Sequence, residues 1–444
     1  MKCPDPGQGE KTEDLGAQAQ RQVAEAMAKT FSRKSIVATT SGNVLEWYDF
    51  TVYGFLAPVI GRIFFPEGDH LAAILSAFAV LAVGYAVRPI GSVIFGHIGD
   101  RMGRKPALLI SVVIMGVGSL AIALLPTYEE VGITAAILLV AIRVLQGLSV
   151  AGEFTASGVM TIEQSPEDKK SRNGAFVLCA MLLGCVLGAA VPALLSSLLT
   201  SEEIAAWGWR IPFVLGAGIA LLSAVLRRDL TESLAVEQKE KSGMSPIVET
   251  VRKHVGLVVQ IVILLIPTAI VYFIIFVYAA SYLTDEMHLS SARALDFTTI
   301  NLLIMAMAAP VFGILAGRYG LRAIMLTATV AFILFAWPLW SLMHNTSPSL
   351  IFAGQLGLSL LNSVGWALSV TMLTLISPPG LKCSTVGLGY NTCMALFGGT
   401  TPMIATYLVS RTGDDFAPIY YAIATAVLSL FVIWRLPVLR ARWD

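Results

Sequence analysis

Long apolar runs with few charges dominate this chain. They recur at roughly residues 37–64, 71–95, 106–125, 133–163, 174–199 and 209–226, and again at 256–283, 295–317, 322–343, 348–376, 384–410 and 416–436. A helix needs about 20 apolar residues to cross the hydrocarbon core of a bilayer. Inside lipid it is also one of the few structures that satisfies its own backbone hydrogen bonds. Each run is therefore expected to be a membrane-spanning helix, and they are numbered spans 1 to 12. Composition agrees: 56% of residues are hydrophobic and 13% charged, against about a quarter charged in soluble domains. The first ~30 residues are polar and lack the apolar core of a cleavable signal peptide, so span 1 is read as a membrane helix in its own right.

Basic residues test this division independently. With a cytoplasmic amino terminus, twenty-four of the thirty Lys and Arg fall on the inner side: the two terminal segments, the polar stretch between spans 6 and 7, and alternate loops. Only Arg62, Arg210, Arg293 and Arg411 fall on the other side, and Arg88 and Arg143 lie within apolar runs. This asymmetry is the positive-inside pattern. It predicts both termini in the cytoplasm and an even number of spans. The expected organisation is an amino-terminal arm (1–34), a six-helix bundle (35–226), a cytoplasmic linker (227–255), a second six-helix bundle (256–437) and a short tail (438–444).

The halves echo each other. Between spans 2 and 3 the chain carries Gly96, Asp100, Arg101, Gly103, Arg104 and Lys105. Between spans 8 and 9, Gly313, Arg318, Gly320 and Arg322 repeat much of that pattern at an offset of 217 residues. Repeated six-helix halves are a transporter architecture, with the substrate site between them near the bilayer midplane.

Other classes find little support. The net charge of +1 implies no nucleic-acid partner. Cys3, Cys179, Cys185, Cys383 and Cys393 show no metal-ligand spacing. No P-loop, metal-binding His pair, nucleophile elbow or Cys-x-x-Cys is present, so neither cofactor nor metal nor enzymatic activity is expected. A non-transporting receptor or scaffold would need neither the repeat nor the intramembrane charges described below.

The loop from Gly96 to Lys105 resembles the signature loop of the major facilitator superfamily, and Arg143, Gln146 and Gly147 resemble its second motif. A finer resemblance is to the metabolite:proton symporter family. It rests on the segments 42–50, 88–91, 146–153 and 207–213, on Arg227, Arg228 and Glu232, and on Tyr390, Asn391 and 398–402. The resemblance implies an all-α membrane protein with the major facilitator fold, twelve helices in two six-helix bundles related by a pseudo-two-fold axis. It also implies that spans 1, 4, 7 and 10 line a central cavity, and that the chain sits in a bacterial inner membrane. Relatives carry citrate, 2-oxoglutarate, other organic acids, proline or betaine, driven by protons. Two departures stand out: Gly317 occupies the position of Asp100 in the second half, and Lys169, Lys170 and Arg172 are separated from Gly174 by Asn173.

An ionisable group at the bilayer centre is costly and is a functional candidate by default. On span 1, Asn43, Glu46, Asp49 and Tyr53 fall within about 120° of arc at 100° per residue. On span 4, Arg143, Gln146, Glu153 and Ser157 likewise share a face. By the resemblance these two stripes face each other across the cavity. Burial disfavours a charged carboxylate and a nearby arginine favours it, so a carboxylate beside Arg143 is suited to load and release a proton. Glu46 and Asp49 are equal candidates for that role; the alternative is a static ion pair. Glu153 is expected with Asp100, Arg101 and Arg104 in a cytoplasmic latch. Arg88 is expected near the cytoplasmic end of span 2 as a gating or packing residue, and Arg210 at the outer mouth as an interfacial anchor.

In the second half, Asn362, Trp366, Tyr390 and Asn391 are candidates for substrate contact, with Asn43, Tyr53, Arg143 and Gln146 opposite them; Tyr278 and Tyr282 are weaker ones. Small and polar residues also glue membrane helices together. Gly184, Gly188 and Pro192, and Gly398, Gly399 and Pro402, are expected to allow close packing between the halves. Arg143, with Arg88 or Arg210, would clamp a carboxylate, favouring a di- or tricarboxylate taken up with protons. The competing osmolyte reading, proline or betaine, would use an aromatic cage drawn from Trp47, Tyr48, Tyr53 and Trp366. A monomer in the lipid bilayer suffices for either.

Overall fold

A computed structural model describes residues 33–65, 70–232, 245–279, 282–283 and 291–436. The arm before residue 33, the linker stretch 233–244 and the tail from 437 lie outside the described residues. Every regular element among those described is helical. Span 1 is Arg33–Phe64, and span 2 is His70–Ala86 continued by Arg88–Arg101. Spans 3 to 6 are Arg104–Ala123, Ile133–Gln164, Lys170–Leu198 and Arg210–Arg227. A linker helix, Pro246–Lys253, leads into span 7, Val255–Phe273, which ends in a π-turn over Ile274–Tyr278. Spans 8 to 10 are Ser291–Tyr319, Leu321–Met343 and Pro348–Ile376. Span 11 runs Lys382–Cys393, a π-turn at Met394–Gly398, then Thr401–Thr412, and span 12 is Ala417–Arg435.

Among the described residues, eleven of these spans are long and apolar enough to cross a membrane by hydropathy alone. The one that falls short is span 1, whose polar stripe lowers its hydropathy although its 32 residues are ample in length. It succeeds as a span because the stripe faces protein: Asn43, Glu46, Asp49 and Tyr53 are all buried. Conversely, Val117 on span 3, Leu221 on span 6, Leu334 on span 9 and Leu428 on span 12 are each at least 60% exposed. Apolar surface so widely exposed is stable only against lipid.

The repeat is visible in the backbone. Gly103 (φ 119°) and Gly320 (φ 92°), 217 residues apart, each stand at the residue before a span. A side chain is strained at such angles, so both half-repeats use glycine to reverse direction. Span 2 is interrupted at Val87 because Pro89 has no N–H to give the Tyr85 carbonyl.

The end bearing Arg101, Lys105, Lys170 and Lys382 is here termed the basic end. There the halves meet through glycines. A Cβ on Gly96 would sit 2.9 Å from Ser384 Cα, and one on Gly99 2.9 Å from Cys383 Sγ, which seats span 2 against span 11. Gly313 of span 8 abuts Ser171 and Arg172 of span 5 at 2.7 Å by the same measure. At the opposite end the halves part around a cleft of ≈ 730 Å³ between spans 1, 5 and 8. The halves are thus packed together at the basic end and parted at the other by a cleft between spans 1, 5 and 8.

Two expectations about packing change. Arg227, placed in the linker by sequence, ends span 6 and is fully buried in the first half. Gly184 and Gly188 let span 5 approach Val44, Tyr48 and Thr51 of span 1, within one half, and Gly398 packs on Phe273 of its own half. The crowding between halves is relieved instead by the glycines at the basic end.

Candidate functional site

Span 1 places two carboxylates three residues apart, and packing gives them different surroundings. Asp49 accepts from Arg143 Nη1 (2.6 Å) and from Ser119 Oγ (2.7 Å). Gln146 Nε2 donates to the same Ser119 hydroxyl at 3.2 Å. The Arg143 guanidinium lies 4.0 Å over the Tyr53 ring. All of these groups belong to the first half, so Asp49, with a donor on each oxygen, and Arg143 form a polar core joining spans 1, 3 and 4. Asn43 extends that core by donating to Ser157 Oγ at 2.8 Å.

Glu46 has a different partner. Arg88 Nη1 lies 3.4 Å from its Oε1, with both side chains 1% exposed. Neither Glu46 oxygen receives a hydrogen bond from the described residues. Arg88 stacks on Tyr85 (4.2 Å) and Phe50 (4.6 Å). Its expected position near the cytoplasmic end of span 2 is corrected: thirteen residues separate it from Arg101, about 20 Å of helix. That depth brings it level with the middle of span 1.

Around this pair the halves meet through aromatic rings. Tyr85 of span 2 contacts Phe273 of span 7 at 6.4 Å between centroids. Trp47 of span 1 meets Tyr272 edge-on at 5.9 Å, and Tyr272 meets Trp366 of span 10 at 6.2 Å. Trp366 contacts Tyr390 at 6.3 Å, and Tyr390 stacks on Phe154 of span 4 at 3.9 Å. Trp47 Nε1, Trp366 Nε1 and the Tyr390 hydroxyl have no hydrogen-bond partner among the described residues. Trp47, Tyr272, Trp366 and Cys185 border a cavity of ≈ 10 Å³, room for about one water. A solute enters this space only if the rings part.

The chain belongs to the major facilitator superfamily. The superfamily's model matches it twice, over residues 39–298 and 261–442. The "Proline/betaine transporter" of Salmonella typhimurium is 33% identical over 90% of this chain and 82% of its own length. The "Glycine betaine/proline/ectoine/pipecolic acid transporter OusA" of Dickeya dadantii matches with the same figures. Among solved structures, the proton:xylose symporter XylE bound to 6-bromo-6-deoxy-D-glucose superposes with a TM-score of 0.77 at 17% identity, over 92% of this chain and 96% of that one. As a superfamily member with such relatives, the chain is a multi-pass secondary transporter of the metabolite:proton symporter family and not an enzyme.

Within this facilitator, several expected groupings are rearranged. Glu153 was expected beside Asp100, Arg101 and Arg104; it instead makes a two-pronged pair with Arg227, accepting from Nη1 at 2.9 Å and from Nη2 closer still. Arg227 also donates to the carbonyls of Ala38, Thr39 and Leu108. This clasp holds spans 1, 3, 4 and 6 of one half, and spacing in the sequence hides it because its partners lie 74 residues apart. Asp100 does reach the latch. It accepts from the backbone N–H groups of Cys383 (3.0 Å) and Ser384 (2.8 Å), capping span 11 across the interface, and lies 3.3 Å from Arg104. Arg104 also pairs with Glu163 (3.2 Å), which pairs with Lys382 of the other half (3.2 Å). Arg101 is exposed at the basic end. Glu163 and Lys382 were not singled out from sequence, where each reads as one loop charge among many.

The expected second-half face also divides. Trp366 and Tyr390 join the aromatic cluster. Asn391 donates to Ala151 O across the interface at 3.2 Å. Asn362 turns away to line a ≈ 50 Å³ cavity inside the second half, with Thr268, Thr329 and Ser429. Tyr278 and Tyr282 stack with Trp340 instead of facing the centre. Of the aromatic cage proposed from sequence, Trp47 and Trp366 are in place. Tyr48 donates to Pro212 O (2.8 Å) and Tyr53 underlies Arg143.

Proposed function

We propose that this transporter is a proton-coupled importer of a small zwitterionic osmolyte of the proline/betaine kind. The observation that carries the reading is the Glu46–Arg88 pair set beside aromatic faces with unpartnered donors. Arg88 binds the substrate carboxylate, and Trp47, Tyr272, Trp366 and Tyr390 receive the ammonium or pyrrolidinium end, a cation being attracted to ring faces. The two 33%-identical relatives named above support the same substrate class. The di- or tricarboxylate reading depended on Arg143 as a clamp, and Arg143 is engaged by Asp49 inside one half.

Coupling follows from competition for one guanidinium. In the empty transporter Glu46 neutralises Arg88. A substrate carboxylate and Glu46 compete for Arg88, and Glu46 gives up the guanidinium when it takes a proton, because its carboxylate displaced from Arg88 would lack a hydrogen-bonding partner in a dry site. The carrier therefore reorients with both proton and substrate or with neither. Asp49, held by two donors within the first half, stays with Arg143. The positive-inside distribution sets the basic end in the cytoplasm, so the cleft faces outward in a bacterial inner membrane, and a monomer with two bundles is sufficient.

The test is uptake by proteoliposomes of labelled glycine betaine, proline, citrate and 2-oxoglutarate, with and without an inward proton gradient. Betaine or proline should accumulate only with the gradient. Accumulation of citrate or 2-oxoglutarate with neither osmolyte taken up would return the carboxylate reading, and betaine uptake indifferent to the gradient would remove the proton.

A further inference from the structure

Spans 5 and 8 form an antiparallel seam that opens like a peg. At the basic end Gly313 meets Arg172 and Ser171. Seven residues along each helix, Cys179 Sγ donates to Ala306 O at 3.2 Å. Seven further along, Val186 and Thr299 no longer close the seam and both line the ≈ 730 Å³ cleft. The seam is thus packed for half its length and parted for the rest. Ala189, Ala190 and Ala193 give the first-half wall a low profile, as the glycines do at the basic end.

The cleft walls carry opposite charges. Among the described residues lining it, Arg62 of span 1 is the one cation and Asp296 of span 8 the one anion. They belong to different halves, both are exposed, and neither has an ion pair among the described residues. Span 1 runs outward from the basic end and span 8 runs back toward it, and Arg62 and Asp296 line the cleft from its opposite walls.

We propose that Arg62 and Asp296 pair when the cleft closes, forming the outer gate that replaces the Asp100–span 11 cap as the basic end opens. Closing the walls removes both charges from water, and an unpaired charge there would resist closure. Pairing removes that resistance. Each conformation then has its own cross-half charge contacts: Asp100 on the span 11 amides and Glu163 on Lys382 in the present state, Arg62 on Asp296 in the alternate one.

The test uses the full chain in lipid nanodiscs, with a Thr299→Cys substitution reporting cleft opening through its rate of maleimide labelling. R62D or D296R alone should raise labelling about 2- to 5-fold, the scale of a partly exposed ion pair, and slow substrate exchange. The swap R62D/D296R should return both toward the parent. A swap that behaves as the sum of its single changes, or single changes that leave labelling unmoved, would overturn the pairing. As a check independent of charge, R62C/D296C treated with a short bis-maleimide during turnover should cross-link and halt exchange. Failure to cross-link under turnover also counts against the gate.

Discussion

Glu46 and Arg88 approach to 3.4 Å at the centre of the molecule, yet neither Glu46 oxygen accepts a hydrogen bond from the described residues. Three residues away, Asp49 has donors on both oxygens. A group that must trade its partner for a proton needs few ties, which is the ground for proposing Glu46 in the exchangeable role. Glu46→Gln should abolish gradient-driven accumulation, leaving the internal concentration near the external one, while counterflow of labelled against unlabelled substrate persists. Wild-type accumulation by this variant would move the proton site elsewhere.

Asp49 should behave as a structural residue. Asp49→Ala leaves Arg143 buried without its counterion, a loss of about 3–5 kcal/mol for broken buried pairs. A fall in thermal midpoint of the order of 10 °C in detergent is expected. Asp49→Asn keeps the Ser119 bond and should fall less. An unchanged midpoint for the alanine variant would show that the pair does not support the fold.

Ring faces, if they hold the cationic end of the substrate, should be replaceable only by other rings. Tyr272→Leu and Trp366→Leu are expected to weaken betaine binding about 2- to 30-fold, the range of 0.5–2 kcal/mol per cation–π contact. Tyr272→Phe should bind within a factor of two of the parent. Isothermal calorimetry with betaine separates the outcomes, and equal losses for Phe and Leu would point to the hydroxyl instead of the ring.

Closure of the basic end depends on glycine. Gly96→Val places branched carbon where Ser384 Cα already lies 2.9 Å from an added Cβ, so spans 2 and 11 cannot seat. The population should shift toward the state open at the basic end, and labelling of Thr299→Cys in the cleft should fall several-fold. A labelling rate equal to the parent's would mean that the two ends do not open in alternation.

The Glu153–Arg227 clasp makes a similar demand on the first half. Glu153→Gln removes the charge facing an arginine that is 0% exposed, and folded yield and thermal midpoint should both drop. Arg227→Ala should be at least as severe, because it also removes the donors to the carbonyls of Ala38, Thr39 and Leu108. If both variants melt with the parent, the clasp is dispensable.

Much of this molecule is legible without coordinates because bilayer crossing is a requirement on local composition. Every span but the first announces itself by length and hydropathy, the basic residues mark one end, and Gly103 and Gly320 mark the repeat at a fixed offset. Even the polar stripe of span 1 is visible, since helical periodicity puts Asn43, Glu46, Asp49 and Tyr53 on one side whatever surrounds them. What the stripe faces is not a local property. Glu46 and Asp49 are nearly equivalent on an isolated helix; one meets Arg88 because span 2 breaks at Val87, and the other meets Arg143 and Ser119 because spans 3 and 4 pack behind it. Glu153 finds Arg227 rather than the latch, and Asn362 turns from the centre, for the same reason. Hydrophobicity and periodicity are carried by each segment alone, so the sequence determined the spans, their number and the charged stripe. Which charge pairs with which depends on where four helices cross, and only the tertiary structure decided that.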